Sequence, residues 1–385
     1  MPIPKKYIAH LDLDCFFVSV ERIKNTDLIG KPVVVGDSAS GRGVVASASY
    51  EARKFGIHSA MPTARAQRLC PNLIVVHGSH GEYGRISKKL YKRMCELAPL
   101  VERASIDEMN MDFTGCENLY HNDLPGFMKT IQKLVLDEFK LPCSIGLASN
   151  KTIAKIAVNQ VKPAGVAFIP HGTEAAYLAP LNIGVIPGVG KKTEEYLSGK
   201  GFHKVSDIQQ KTEKEILDIL GRHGVWIYHV AFGRGSDVIG EEGDAKSISR
   251  EETFAKDIAD RKELEKIIFE LTEDVCQQLR ANGWKTRAIT LKLRYSDFKT
   301  ITHAQSIDPT NDDTMVAQTA RSLLQTAYTR KLPIRLIGVR LTNFDEEEQM
   351  ELSLFPSKKK KQDILTVVDT LRKKFGDDVI HVGGG

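Results

Sequence analysis

The sequence predicts a multidomain protein of the mixed α/β (α+β) class, and three observations support this prediction. The chain has 385 residues, more than one hydrophobic core usually holds, so about two to four domains are expected. Strand and helix patterns alternate through residue 169, and a run of short, glycine-broken helices follows. The last third of the chain has the element order β-α-β-β-α-β, which is typical of a split βαβ sheet with two helices on one face.

Apolar periodicity assigns the elements of the first half in order. Strands are predicted at 7–13, 101–113, 143–149 and 165–169, and helices at 82–98, 124–139 and 150–160. The stretch KPVVVGD followed by GVVASASYEARKFGI predicts a further strand that leads into a helix. This pattern indicates a small α/β insertion after the first strand.

The second half begins with a separate helical unit between Leu178 and Gly235. The polar, glycine-rich stretch GSDVIGEEGDAKS then predicts a linker. The elements that follow are strands at 247–254, 287–295, 299–305 and 334–343 and helices at about 260–281 and 312–330. The tail contains EEE, QMELSLF and one more predicted helix, ILTVVDTLRKKFG, and we expect it to be an appendage outside the core.

Composition limits the possible locations and partners. Lys and Arg total 54 against 49 Asp and Glu, so the net charge of +5 permits a nucleic-acid partner without demanding one. The six cysteines form no C-x-x-C pair, which argues against a zinc site or a secreted disulfide framework. No segment has the apolar length of a membrane span, and no signal-like stretch opens the chain. We therefore expect a cytoplasmic protein without a membrane partner.

Two acidic clusters interrupt apolar strands. Asp12 and Asp14 lie in IAHLDLDCFF, and Asp107 and Glu108 lie in ERASIDEMNMD. An unpaired carboxylate in a core strand is costly, so a cation or a basic partner is implied. Hard oxygen ligands without a nearby Cys or His ligand pair favour Mg²⁺.

A regular strand cannot direct Asp107 and Glu108 toward one ion, because successive side chains alternate faces. A local bend is required. With such a bend, and with Asp12 on a neighbouring strand, three carboxylates could converge on two Mg²⁺ ions about 4 Å apart, the geometry of nucleotidyl transfer. The alternative, from spacing alone, is that these acids are exposed strand residues or helix caps.

Several blocks carry a resemblance to a known family. LDLDCFFVSVE, VVASASYEARKFGIHSAMP, SIDE and VKPAGV resemble the sequence blocks of Y-family DNA polymerases, most of all those of the bacterial DNA polymerase IV class. The resemblance runs in order from about Tyr7 to Phe344. It implies a right-hand polymerase with a split βαβ palm, whose parts are a palm (1–17 and 80–178), small fingers (18–79), a helical thumb (179–235), a linker (236–246), a β-α-β-β-α-β little finger (247–345) and a C-terminal tail (346–385).

The resemblance also implies roles at the active site. Asp12, Asp107 and Glu108 match the catalytic, metal-binding acids, the Leu13 carbonyl matches a further metal ligand, and Asp14 is then structural. The cofactor implied is a pair of Mg²⁺ ions per active site, for which Mn²⁺ can substitute.

The expected dNTP contacts are Phe16, Phe17, Ser47, Tyr50, Arg53 and Lys162. Phe17 matches the steric gate that excludes a 2′-hydroxyl, whereas composition alone assigns both phenylalanines to the core and still favours that for Phe16. The small residues from Ala46 to Ser49 predict an open pocket that tolerates damaged templates. Ordinary surface charge is the alternative for Tyr50, Arg53 and Lys162.

Two regions are predicted to contact DNA. IPGVGKKTEEYLSGKGF resembles a helix-hairpin-helix, in which Gly188, Gly190, Lys191 and Lys192 would bind a DNA phosphate. In ITLKLRY the apolar residues alternate with Lys292 and Arg294, which gives the strand one basic face suited to the DNA backbone. The alternatives are an unadorned glycine turn and a solvated sheet face.

The tail segment QMELSLF resembles a sliding-clamp binding peptide. Gln349 would be held by hydrogen bonds, and Leu352, Leu354 and Phe355 would fill an apolar groove on the clamp.

One departure from the family concerns the palm: Met109, Asn110 and Met111 follow the Asp-Glu pair, where the family usually has Ala-Tyr-Leu. The acids are intact, so the chemistry is expected to survive, and the departure bears on the packing there and on the contact that the missing tyrosine would make.

Together these features predict a template-directed, low-fidelity DNA polymerase for translesion synthesis. Its partners would be primer-template DNA, dNTPs and a sliding clamp, and we expect a monomer. Two alternatives remain: a DNA-binding scaffold without turnover, and a nucleotide cyclase, which would have no use for a helix-hairpin-helix or a clamp peptide.

Overall fold

The computed structural model describes residues 5–38, 41–240, 245–346, 367–371 and 374. The chain divides into two units, residues 1–243 and 244–385. The division falls inside the segment predicted as a linker. Within the described residues, no helix has the length and apolar character needed to cross a bilayer.

The strands of the first unit, among its described residues, are β1 (Ile8–Leu13), β2 (Val33–Gly36), β3 (Val45–Ala48), β4 (Ile74–Val76), β5 (Leu100–Arg103), β6 (Glu108–Asp112), β7 (Cys143–Ala148) and β8 (Val166–Phe168). Its α-helices are α1 (Phe16–Lys24), α2 (Tyr50–Arg53), α3 (Thr63–Leu69), α4 (His80–Cys95), α5 (Leu124–Phe139), α6 (Lys151–Val161), α7 (Glu174–Leu178), α8 (Lys191–Gly199), α9 (Val205–Gln209) and α10 (Glu213–Ala231). Short 3-10 helices lie at Thr26–Leu28, Glu117–Tyr120 and Ile183–Val185.

A five-stranded sheet in the order β5-β6-β1-β7-β8 forms the centre of the predicted palm. Strand β1 is its middle strand and pairs antiparallel with both β6 and β7. All six residues of β1 and all six of β7 are buried. Any polar side chain on β1 is therefore enclosed by the protein, which gives Asp12 a strong need for a partner of opposite charge.

Helix α6 packs against one face of this sheet, and Gly146 permits the close approach. A Cβ at Gly146 would collide with the backbone oxygen of Ala154 and would lie 2.8 Å from the nitrogen of Val158. Asn150 caps the helix, because its side chain accepts a hydrogen bond from the N–H of Ile153. The position of α6 brings its lysines to the acidic residues of the sheet.

The predicted fingers contain a small sheet in the order β3-β2-β4, with a core of its own. The predicted thumb is helical and shares a buried apolar cluster with α6. That cluster includes Ile153 and Ile156 of α6 together with Leu197, Val205 and Ile227 of the thumb helices.

The second unit confirms the predicted order of elements, namely β9 (Ser247–Ile258), α11 (Arg261–Ala281), β10 (Trp284–Tyr295), β11 (Thr300–Thr310), α12 (Asp313–Ala327) and β12 (Ile334–Glu346). Its strands form an antiparallel sheet in the order β11-β10-β12-β9. Helices α11 and α12 cover the face that carries Ile289, Leu291 and Leu293.

Two sequence predictions of local structure were wrong. The single strand predicted at 101–113 is a hairpin, in which β5 and β6 pair from Leu100↔Asp112 to Arg103↔Met109. The tail is not wholly outside the packed structure either. Residues 367–371 are helical, Val368 is buried, and the Asp369 carboxylate accepts hydrogen bonds of 2.6 and 2.9 Å from Arg280 on α11.

Candidate active site

Asp12 and Glu108 face each other across the antiparallel strands β1 and β6, where they are direct register partners. Side chains at such a pair project on the same face of the sheet. Asp12 is 5% exposed and Glu108 is partly buried. One ligand atom each from Asp12, Glu108 and His10 lies within 4.8 Å of the others. The structure therefore brings together two of the three predicted catalytic acids.

Asp107 lies in the turn just before β6, so the bend that the sequence argument required is present. The Asp107 backbone oxygen accepts a hydrogen bond of 3.0 Å from the N–H of Leu13, the residue after Asp12. Its carboxylate accepts a hydrogen bond of 2.6 Å from the Ser105 hydroxyl. Ser105 Oγ also accepts the N–H groups of Asp107 and Glu108, which stabilises the turn. Asp107 thus borders the acidic pair without belonging to the close three-residue set.

Two lysines neutralise the acidic pair. Lys162, at the end of α6, donates a hydrogen bond of 2.5 Å to Asp12, and Lys155 within α6 donates one of 2.5 Å to Glu108. Lys162 was predicted as a phosphate ligand, and its position beside the acids is compatible with that role once the carboxylate has another cation. Lys155 was not singled out from the sequence, because nothing in it shows that α6 crosses this sheet face.

The surroundings shift the pKa values of Asp12 and Glu108 in opposite directions. Burial raises the pKa of Asp12 above its ordinary value, and Lys162 only partly offsets this effect. Burial also favours the neutral form of Glu108, but the hydrogen bond and charge of Lys155, together with His10 and Asp12, outweigh burial and hold the pKa of Glu108 below its usual range. A cation bound between them would favour the ionised form of both.

These residues fit a divalent cation. Two carboxylates on adjacent strands supply hard oxygen donors, and the lysine ammonium groups show that the pocket accommodates positive charge. The buried His10 adds a nitrogen whose Nε2 has no hydrogen-bond partner. Leu13, the predicted carbonyl ligand, follows Asp12 directly on β1.

His10 and Asn110 form a second register pair on β1 and β6, two residues from the Asp12–Glu108 pair on each strand. Their side chains meet at 2.7 Å between His10 Nδ1 and Asn110 Oδ1. Burial lowers the pKa of His10, although the Asn110 contact and the charge of Glu108 oppose the shift. Residue Asn110 stands in the Met-Asn-Met departure from the family pattern, and its partner was missed because the pairing joins residues 100 positions apart.

Asp14 is buried and its carboxylate is fully used by the fold. It accepts hydrogen bonds from the Tyr50 hydroxyl at 3.0 Å, from the Ser144 hydroxyl and from the N–H of Ala164. These contacts tie the fingers to the palm and match the structural role expected of Asp14. Burial and the negative charge of Asp14 raise the pKa of Tyr50, so its hydroxyl stays protonated as a donor.

The remaining predicted triphosphate contacts lie on β3 and α2. The guanidinium carbon of Arg53 lies 4.8 Å from the centre of the Tyr50 ring, and Arg53 Nε donates to the Ala48 oxygen. Ser47 is almost buried on β3, at 9% exposure. Arg53 is exposed, whereas Tyr50 is partly buried and Ser47 is buried.

Phe16 and Phe17 differ in their surroundings. The ring of Phe17 is partly buried and stacks on Tyr83 at 4.2 Å with a 9° angle between the planes. Phe16 is 2% exposed and belongs to the palm core. Phe16 therefore offers almost no surface to a nucleotide, which does not support its prediction as a dNTP contact.

The predicted DNA contacts of the thumb lie at one turn. Gly188 has φ of +88°, a conformation that glycine adopts without strain, and a Cβ there would meet the Trp226 ring at 3.5 Å. Gly190 is the N-cap of α8, and Lys191 and Lys192 begin that helix with exposed side chains. The turn thus presents backbone and ammonium groups to solvent.

Lys292 and Arg294 lie on the sheet face of the second unit that α11 and α12 leave uncovered. Lys292 pairs with Glu251 at 2.8 Å, and Arg294 Nε donates to the Thr300 hydroxyl at 2.9 Å.

The clamp-binding prediction at Gln349, Leu352, Leu354 and Phe355 falls outside the described residues.

Comparison with known proteins places this fold in a class. The profile of the impB/mucB/samB family matches residues 11–159, and the profile of its C-terminal domain matches residues 245–354. A solved structure titled "Y-family DNA polymerase chimera Dbh-Dpo4(243-245)-Dbh" superposes with a TM-score of 0.79 and 26% identity, covering 88% of this chain and 99% of that chain. The fold is that of the Y-family DNA polymerases.

Relatives that this chain matches over most of their length are named as DNA polymerases. A "DNA polymerase IV" of Dehalococcoides mccartyi is 36% identical over 98% of this chain and 96% of its own length. Proteins of the same name from Opitutus terrae and Methanoculleus marisnigri are each 37% identical, covering 98% and 89% of this chain and 96% and 95% of their own lengths. The chain belongs to the impB/mucB/samB family of Y-family DNA polymerases.

Proposed function

We propose that Asp12, Asp107 and Glu108 are the catalytic acids of the DNA-directed DNA polymerase activity, in translesion synthesis, that family membership gives this chain. The observation that carries the proposal is the facing pair of Asp12 and Glu108 on the central strands of the palm sheet. Asp107 precedes Glu108 in the turn that is hydrogen-bonded to Leu13, and we propose that it completes the acidic set.

The cofactor proposed is Mg²⁺, two ions per site, with Mn²⁺ as a substitute. When bound, the ions would activate the primer 3′-hydroxyl and neutralise charge on the triphosphate. Asp12 and Glu108 would hold them, with the Leu13 carbonyl as a further ligand. Lys162 and Arg53 would bind the triphosphate oxygens, and Tyr50, fixed by Asp14, would position the α2 helix beside them.

Phe17 is proposed as the steric gate. Its ring is supported from one side by the stacked Tyr83, so it cannot easily turn away from an incoming sugar. Ribonucleotides would be excluded because the 2′-hydroxyl needs the space that this ring occupies.

Template-directed extension of a primed DNA strand with dNTPs is the direct test of activity. Extension across both undamaged and damaged templates is expected. A scaffold without turnover would bind the DNA and extend nothing, and a cyclase would consume a triphosphate without a template.

The uncovered sheet face of the second unit is proposed to bind the DNA backbone. Replacing Lys292 and Arg294 together by Ala is expected to reduce the slope of log affinity against log salt by about 1.8, since each lost phosphate contact removes about 0.9. Fluorescence anisotropy of labelled primer-template over a salt series measures the slope.

Lys266 on α11 supplies the matched control, since it is exposed on the helical side and pairs with Glu270. Lys266→Ala should leave the slope unchanged. Equal slopes for the double variant and the control would show that DNA does not lie on this sheet face.

The tail segment 349–355 is proposed as the docking peptide for a sliding clamp, and the polymerase itself as a monomer in the cytoplasm. Replacing Leu354 and Phe355 by Ala is expected to remove stimulation by the clamp while distributive synthesis continues, because the apolar anchors of such a peptide supply most of its affinity. Product length on a primed circular template, with and without the clamp, is the measurement. Ser353→Ala, in the same peptide, is the control and should retain stimulation; equal loss in both, or loss in neither, would refute the docking role.

A further inference from the structure

The nitrogen Nε2 of His10 is buried beside the acidic pair and has no hydrogen-bond partner. His10 is 1% exposed, and its Nε2 lies 3.8 Å from Glu108 Oε2. Buried polar atoms nearly always have a hydrogen-bond partner, so an isolated nitrogen this close to the Glu108 carboxylate needs an explanation. Neither Lys155 nor Lys162 donates a hydrogen bond to this nitrogen, and their ammonium groups instead donate to Glu108 and Asp12.

Asn110 determines which nitrogen of His10 carries the proton. Its Nδ2 donates at 3.3 Å to Glu102 Oε1. Glu102 is ionised, because the hydrogen bonds from Lys151 and the N–H of Gly240 outweigh the effect of burial and keep its pKa low. A carboxylate only accepts, so the amide NH₂ of Asn110 must face Glu102 and its oxygen must face His10.

The tautomer of His10 follows from this orientation. Asn110 Oδ1 can only accept, so His10 Nδ1 donates its proton across the 2.7 Å contact. In a neutral ring the other nitrogen, Nε2, then carries a lone pair. That lone pair belongs to an atom 3.8 Å from Glu108 Oε2, an arrangement that is repulsive unless a cation lies between the two atoms.

The spacing suits such a cation. Two ligand atoms that are each about 2.1 Å from one ion lie about 3.0 Å apart at a right angle and about 4.2 Å apart in line. The 3.8 Å between His10 Nε2 and Glu108 Oε2 falls between these limits. A metal-binding histidine almost always donates its other ring N–H to a fixed acceptor, and the carbonyl oxygen of Asn110 is placed to be that acceptor here.

We infer that His10 is a nitrogen ligand of the metal site, and that His10, Asp12 and Glu108 together bind a first-row divalent transition cation, tested as Mn²⁺. Imidazole favours such cations over Mg²⁺, which prefers oxygen. Asn110, part of the Met-Asn-Met departure, is the positioning residue that holds the ring. The inference rests on the proposed function, since it assumes that Asp12 and Glu108 hold the catalytic cation.

Pulsed electron paramagnetic resonance on the full chain with one equivalent of Mn²⁺ tests this assignment without any substitution. A ¹⁴N modulation from directly bound imidazole is expected, and it should change to the ¹⁵N pattern when the protein is made with ¹⁵N-histidine. His10→Gln should abolish the modulation and lower Mn²⁺ affinity at least about tenfold, with Mg²⁺ affinity changed far less. His171→Gln is the control, because the His171 ring contacts the Lys6 backbone oxygen and lies outside the three-residue set.

The outcomes separate this inference from the proposed function. Mn²⁺ that binds in an Asp12-dependent manner but shows no nitrogen coupling would overturn the role of His10 and leave the catalytic acids in place. Mn²⁺ binding that is unaffected by Asp12→Asn would overturn both. An equal loss of Mg²⁺ and Mn²⁺ affinity in His10→Gln would also contradict the inference, because an oxygen-only site would then be distorted without any change in metal preference.

Discussion

Primer extension by the Glu108→Gln variant is expected to fall at least about 1,000-fold, with primer-template binding retained. The substitution keeps the size of the side chain and removes its charge, so the cation that neutralises the triphosphate would lose an anionic ligand. Asp12→Asn should have a similar effect because Asp12 faces Glu108 across the same strand pair. Single-turnover extension with saturating dNTP and Mg²⁺ measures the loss, and fluorescence anisotropy measures DNA binding.

Asp112→Asn is the matched control for this prediction. Asp112 lies on the same strand, is 7% exposed and accepts hydrogen bonds from Lys6 and from the N–H of Thr114. Its loss should lower stability while extension continues. An Asp12→Asn or Glu108→Gln protein that keeps more than about a tenth of the wild-type rate would show that the chemistry lies elsewhere.

Ribonucleotide incorporation by Phe17→Ala is expected to rise at least about 100-fold relative to deoxyribonucleotide incorporation, which corresponds to about 2.7 kcal/mol of discrimination. The proposed reason is steric: the Phe17 ring, stacked on Tyr83, would occupy the space that a 2′-hydroxyl needs. Single-nucleotide incorporation with matched rNTP and dNTP gives the ratio of the two efficiencies.

Phe16→Leu separates a gate from a general loss of packing. Phe16 is buried in the palm core beside Phe17, with ring centres 5.6 Å apart, so its truncation should lower the melting temperature without changing sugar selection. Similar sugar selection in wild type and Phe17→Ala, or an equal change in both variants, would place the gate at another residue.

Local patterns were sufficient to predict much of the fold. Alternation in ITLKLRY placed Ile289, Leu291 and Leu293 on the covered face of the second sheet, where the structure has them. Helix α5 has the predicted limits, Leu124 and Phe139, because Asp123 caps its start and Lys140 ends it in a left-handed conformation. These signals lie within a few residues of the elements that they define.

The errors and omissions involve contacts distant in sequence or a hidden turn. The 101–113 segment was predicted as one strand because its apolar residues continue across Ser105, and the reversal depends on hydrogen bonds made by the Ser105 hydroxyl. His10 and Lys155 were missed because their proximity to Glu108 follows from strand pairing and from the packing of α6. The burial of Val368 was missed for the same reason, since the neighbouring Asp369 contacts Arg280 on α11, 89 positions away in the sequence.

The central claim is that the facing carboxylates of Asp12 and Glu108 hold the cations that a bound triphosphate shares. A crystal structure of the protein with primer-template, a non-hydrolysable dNTP and Mn²⁺, with anomalous data collected for manganese, tests it most directly. The account predicts an anomalous peak about 2.2 Å from an oxygen of each carboxylate, with Lys162 turned from Asp12 toward the triphosphate. Manganese bound away from both residues, with Lys162 still paired to Asp12, would contradict it.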